Sequence, residues 1–116
     1  MIRELVMTAE FDRQWKAMEL TDADLARLQQ MILADPGIGP VIRETGGLRK
    51  VRFPFEGRGK RGSARVAYID FLFCERIYLI SAYSKKEKEN LTKAERNEIK
   101  KMIMAIEKTL KNGGTV

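Results

Sequence analysis

The sequence predicts an α+β domain: a short strand and two helices, then three strands in a small antiparallel sheet, then a C-terminal helix. Three observations carry this reading. Apolar residues from Phe11 to Ile32 recur at helical spacing. After Gly47 the period changes to alternation and holds to Tyr83. Helical spacing then returns behind an N-terminal capping signal at Thr92 and Glu95. Strands and helices segregated in this way, rather than alternating one by one, indicate α+β and not a doubly wound sheet.

Each element has its own signal. Residues 1–7 read as a strand with Leu5, Val6 and Met7 as its apolar content. Phe11, Trp15 and Met18 define a short amphipathic helix over 9–18. Thr21, with Asp24 three residues on, starts a second helix whose face is Leu25, Leu28 and Ile32, and Asp35-Pro36-Gly37 stops it. Leu48 to Phe53 is a strand ended by Pro54, and residues 63–73 form the next. In that strand Ala64, Val66 and Tyr68 oppose Arg65, Ala67, Ile69 and Phe71. Cys74-Glu75 is read as a tight link to a third strand, Arg76 to Tyr83, with Ile77 and Leu79 opposite Tyr78 and Ile80. The last helix has the stripe Ile99, Met102, Ile103, Ile106 and Leu110, and Asn112-Gly113-Gly114 ends it. Residues 1–112 are therefore expected to form one domain, with 113–116 a short tail.

Composition restricts the function. No stretch has the length of an apolar membrane span, the opening residues lack a signal core, and the single Cys74 suits a reducing compartment, so the cytoplasm is the expected location. The net charge is +6, and it is concentrated. Residues 47–65 carry Arg49, Lys50, Arg52, Arg58, Lys60, Arg61 and Arg65 against Glu56 alone, a local surplus equal to that of the whole chain. Clustered cations of this kind suit a polyanion, because phosphate contacts release counterions and the field steers association. A solvated charge run is the competing reading.

The loop Gly57-x-Gly59-x-x-Gly62 has dinucleotide-fingerprint spacing, but that fingerprint must open a helix, and Ser63 to Tyr68 reads as a strand. A basic hairpin tip at Arg58, Lys60 and Arg61, able to follow a nucleic-acid backbone, is the better reading. The chain has no histidine, which removes histidine acid/base catalysis and ordinary zinc sites. Glu56, Asp70 and Glu75 have no ligand-like spacing, which argues against a two-metal nuclease, and neither a metal site nor a cofactor is expected. An enzyme built from this inventory works with Lys, Arg and Tyr.

The ordered segments Gly46-Gly47-Leu48-Arg49-Lys50-Val51-Arg52, then Gly59-Lys60-Arg61-Gly62-Ser63-Ala64-Arg65-Val66-Ala67-Tyr68, then Ile77-Tyr78-Leu79-Ile80 running on to Tyr83-Ser84-Lys85-Lys86-Glu87, resemble the RelE/HigB toxins, most closely the HigB-like branch. The resemblance covers most of the chain. It implies a RelE-like, microbial-ribonuclease-like fold and a toxin of a type II toxin–antitoxin system. Such a toxin cuts messenger RNA in the ribosomal A site, and its expected partners are mRNA, the ribosome with its 16S and 23S rRNA, and a cognate helix-turn-helix antitoxin of the HigA kind.

Metal-free RNA cleavage uses the neighbouring 2′-hydroxyl as nucleophile. It needs a base, cations around the crowded phosphorane, and an acid for the leaving 5′-oxygen. Lys50 and Arg52 lie two apart and share a strand face, and by resemblance they match the paired basic residues of the family's second strand. Packed among cations, a lysine is expected to lose its proton more easily and serve as base. By resemblance Arg65 matches the family's central arginine, whose planar fork suits phosphate. Tyr83 and Lys85 are expected to end the third strand on one face, where the aromatic stacks a base and the cation holds the leaving group. The catalytic candidates are therefore Lys50, Arg52, Arg65, Tyr83 and Lys85; Arg49, Arg58, Lys60, Arg61 and Lys86 are RNA-binding candidates. The choice among Tyr83, Lys85 and Lys86 stays open. Bland alternatives stand beside these: a structural ion pair for Arg65, an exposed strand position for Arg49 or Lys50, a core position for Tyr83, and packing for Tyr68. Two other function classes also fit the charge, a non-catalytic RNA-binding module and a protein-interaction subunit.

Overall fold

The computed structural model describes residues 3–56 and 62–114. Among them the chain runs β1 (Glu4–Met7), α1 (Ala9–Ala17), α2 (Asp22–Ala34), β2 (Arg49–Pro54), β3 (Ser63–Phe71), β4 (Arg76–Ser84) and α3 (Lys93–Lys111). The sheet order is β1-β4-β3-β2. The three later strands form the expected antiparallel meander, and β1 adds to β4 in parallel, so the sheet is mixed. Parallel pairing leaves no turn signal in the sequence, because the two strands are joined through the rest of the fold.

Helix starts follow from side-chain caps. Thr8 Oγ1 accepts the Phe11 N–H, and Thr21 and Thr92 form reciprocal capping boxes with Asp24 and Glu95. The two capping carboxyls also drop below their ordinary values. The Thr21 N–H is the main cause for Asp24, and the Lys88 ammonium for Glu95. The hairpin link differs from the expectation: β3 stops at Phe71, and Leu72–Cys74 make a 3-10 turn closed by Glu75 in the left-handed region.

The two sheet faces bury separate cores. Phe11, Trp15, Leu28 and Ile32 of α1 and α2 pack on Val51, Phe53, Val66, Tyr68, Ile77 and Leu79. Ile99, Ile103, Ile106 and Leu110 of α3 pack on Leu48, Ala67, Ile69, Phe71, Tyr78 and Ile80. The alternation read from β3 is the one observed. Arg3, just before β1, makes a bidentate pair with Asp70 of β3 at 2.8 and 3.1 Å, reaching across the intervening β4.

The pairing of β3 with β4 contains one irregularity. Ala67 pairs with Ser81 but Tyr68 pairs with Leu79, so Ile80 is an extra residue in β4, a β-bulge. Simple alternation carried past Ile80 puts Tyr83 with Ile77 and Leu79. The bulge reverses this, and Tyr83 joins Tyr78 and Ile80 on the α3 side. Gln14 of α1 holds the bulge: its Oε1 accepts the Ala82 N–H at 2.8 Å and the Ser81 hydroxyl at 3.2 Å.

Candidate active site

On the α3 side of the sheet the apolar cluster gives way to charge. Lys50 lies opposite Ala67, Arg52 opposite Arg65, and Arg65 opposite Tyr83. Arg52, Arg65 and Tyr83 thus form one row across β2, β3 and β4, with Lys50 one same-face step along β2. Two like charges directly opposite in a sheet repel. Ser63, buried two residues before Arg65 on the same face, eases this: its Oγ accepts from Arg52 Nε at 3.1 Å and from Arg65 Nη1 at 2.6 Å. The two guanidiniums are thereby locked at fixed spacing.

The segment after β4 folds back over the row. Glu89 Oε1 stands 3.5 Å from Arg65 Nη2, and Asn90 Oδ1 accepts from Lys50 Nζ at 2.7 Å. Lys88 places its ammonium 5.4 Å from the centre of the Tyr83 ring and pairs with Glu95. Arg65 is left with a side chain 11% exposed. Tyr83 is 1% exposed, and its hydroxyl is buried with no hydrogen-bond partner among the described residues. Burial is the main cause that raises the Tyr83 pKa, with Glu95 and Glu89 adding to it and Arg65 opposing. The phenol therefore holds its proton.

Lys50 is positioned from the other edge. Its N–H donates to Pro40 O at 3.1 Å, and Ile42 N donates to Leu48 O at 2.7 Å, so residues 40–42 run along the start of β2. Gly39 allows the close approach, since a Cβ there would lie 2.6 Å from Lys50 O.

The sequence-derived set therefore divides. Lys50, Arg52, Arg65 and Tyr83 come together. Tyr83 does not offer its ring to a base, as expected from a strand end, because ring and hydroxyl are both enclosed, opposite Arg65 in the row. Lys85 is corrected from a strand-end position: β4 ends at Ser84, and Lys85 and Lys86 are exposed in the following turn, which Ser84 closes through Glu87 N. Arg49 stands apart from the others. It lies on the opposite face, paired with Tyr68, and its Nη1 donates to Gly39 O at 2.7 Å. That carbonyl ties it to the loop before β2, away from the row. Arg58, Lys60 and Arg61 lie outside the described residues. Tyr68 packs as expected, its hydroxyl donating to Pro36 O at 2.8 Å and accepting from Gly39 N at 3.1 Å. Sequence reasoning missed Ser63, Lys88, Glu89 and Asn90. Only Ser63 had a signal, its two-residue spacing from Arg65.

Among the described residues no three carboxylate or cysteine side chains lie close enough to hold a metal ion, and no helix is long and apolar enough to cross a membrane.

A family model described as the RelE toxin of the RelE/RelB toxin–antitoxin system matches residues 4–112. The chain belongs to the RelE toxin family. In this RelE-family chain the fold agrees too: a solved structure of E. coli toxin RelE, a double arginine-to-alanine mutant in the free state, superposes with a TM-score of 0.54 at 16% identity. The match covers 76% of this chain and 88% of that one. The whole basic row lies inside the residues that the RelE family model spans.

Proposed function

We propose that residues 1–112 form one toxin domain acting as a ribosome-dependent, metal-independent endoribonuclease that cuts messenger RNA in the ribosomal A site. Membership of a toxin family whose members are in general endoribonucleases supports the class of activity. The observation that carries the reading is the row Arg52, Arg65 and Tyr83 beside Lys50: two fixed guanidiniums, an amine, and an unpartnered phenol on one sheet face.

Each member has a task. The phosphate sits against Arg65 and Arg52, whose forks, locked through Ser63, stabilise charge as the phosphorane forms. Lys50 takes the proton of the attacking 2′-hydroxyl. Tyr83, which burial keeps protonated, gives its proton to the leaving 5′-oxygen once RNA has moved the 88–90 segment aside and uncovered its hydroxyl. Glu89 and Asn90 occupy the anion-facing positions of Arg65 and Lys50 in the free chain, and RNA displaces them. Lys85 and Lys86 line the approach as RNA and rRNA contacts, and Arg58, Lys60 and Arg61 extend it. Arg49 is left out of this set because its side chain is committed to the Gly39 carbonyl. The place of action is the cytoplasm, and the partner is a HigA-like helix-turn-helix antitoxin.

The test is inducible expression in a bacterium of wild type and Arg65→Ala, with growth and messenger-RNA 5′ ends read together. Wild-type arrest with new in-frame ends, both lost in the variant, is the expected result. Normal growth with unchanged RNA and folded protein replaces this reading with a binding module. Arrest without cleavage assigns the chain a different target.

A further inference from the structure

The end of the sheet away from the basic row carries an exposed apolar surface. Arg65 and Phe71 lie six residues apart on β3, which places the β3–β4 turn roughly 20 Å from the row. Leu72 in that turn and Met104 on α3 are the two most exposed large apolar side chains among the described residues, at 65% and 60%, and Phe73 is 49% exposed. Phe71 is buried as the last residue of β3, and the 3-10 turn after it leaves Leu72 and Phe73 outside the core. Turn and helix form one surface. Lys111 places its ammonium 5.5 Å from the centre of the Phe73 ring, and it also lines a cleft of about 320 Å³ with Met104, Glu107 and Lys108. Singly exposed apolar residues are ordinary, but two adjacent ones that meet a third across a cleft mark a contact surface.

The rim of this surface is cationic. Lys100, Met104, Lys108 and Lys111 follow at helical spacing, so one exposed face of α3 sets the methionine among lysines. Glu107 is taken by Lys111 at 2.9 Å, whereas among the described residues neither Lys100 nor Lys108 has an ion-pair partner. Such a face fits a partner that brings apolar groups and carboxylates together. We propose that the β3–β4 turn and the outer face of α3 dock the cognate antitoxin through an acidic amphipathic helix. Its apolar stripe meets Leu72, Phe73 and Met104, and its acidic residues meet Lys100 and Lys108. The proposal rests on the toxin reading above for its partner. A second copy of the chain would set lysine against lysine, and an RNA phosphate gains nothing from three exposed apolar side chains.

The test is isothermal titration calorimetry of the full chain with its cognate antitoxin, together with growth rescue when the two are expressed in one cell. Phe73→Ser and Met104→Glu are each expected to weaken binding about tenfold or more, the scale of losing an apolar anchor. Lys108→Glu weakens it several-fold and flattens its salt dependence. Met104→Leu keeps wild-type affinity, which separates the lost contact from a helix defect. Phe73→Ser and Met104→Glu still arrest growth, because the row is untouched, but the antitoxin no longer rescues the cells. Wild-type affinity in both variants overturns the docking surface, and their growth arrest leaves the nuclease reading standing. Weakened antitoxin binding by the variants of a wild type that never arrests growth keeps the surface and removes the nuclease. Antitoxin affinity unchanged in Phe73→Ser, with loss of wild-type binding to phosphatidylglycerol vesicles, gives the surface to lipid and overturns the proposal. So does a wild-type dimer in sedimentation that Phe73→Ser dissociates without change in antitoxin affinity.

Discussion

Tyr83 carries a hydroxyl that contributes nothing to folding. A buried phenol without a partner has lost its water hydrogen bonds and gained none, so Tyr83→Phe is expected to leave stability unchanged or raise it by about 1 kcal/mol. The same variant should lose about a hundredfold in cleavage rate, the scale of removing a positioned acid. Chemical denaturation and a cleavage assay on one preparation check both, and equal loss in the two would assign Tyr83 to the core alone. The pH dependence has a definite sign. Because the folded Tyr83 pKa is raised, its contribution is fully present below the unfolded value and is lost as pH rises through the folded one. Wild type should therefore lose stability above about pH 10 more steeply than Tyr83→Phe. At this scale the shared face of Lys50 and Arg52 was legible from spacing, because two-residue steps in a strand keep one face, whereas Arg65 on the next strand came from the resemblance to the RelE/HigB toxins. Glu89 and Asn90 were not, because they reach the row from a turn that has no period.

The elements explain why the tyrosine meets the arginines at all. A bulge shifts the second half of β4 by one residue, and Gln14 satisfies the N–H of Ala82 just beyond it. Gln14→Leu keeps the bulk and removes the acceptor. The expected results are a stability loss of about 1–3 kcal/mol, from an orphaned N–H and hydroxyl, and a cleavage loss of tenfold or more as Tyr83 leaves the row. A denaturant titration and the cleavage assay measure the two; full activity despite the stability loss would show that the bulge holds without Gln14. The helices were readable because threonine caps and apolar stripes are local signals. Every cap named from sequence forms, at Thr21 with Asp24 and at Thr92 with Glu95. The bulge and the parallel pairing of β1 were hidden, since both depend on residues far apart in the chain.

Across the whole molecule the sheet does two jobs on opposite sides. The α1–α2 face is mostly core and carries only Arg49 and the Arg3–Asp70 pair as charge among the described strand residues, while the α3 face is core at one end and cationic at the other. The surplus charge counted along residues 47–65 therefore divides in space: Arg49 is spent on a loop carbonyl, and Arg52 and Arg65 meet across adjacent strands. That meeting has a thermodynamic consequence. Two guanidiniums held opposite each other store repulsion in the free protein, and any anion that settles between them releases it. An anion that binds there binds the folded chain alone, because only folding brings the two strands together. Millimolar sulfate or inorganic phosphate should raise the melting temperature by a few degrees through preferential binding to the native state, and Arg65→Ala, already relieved of the repulsion, should show little response.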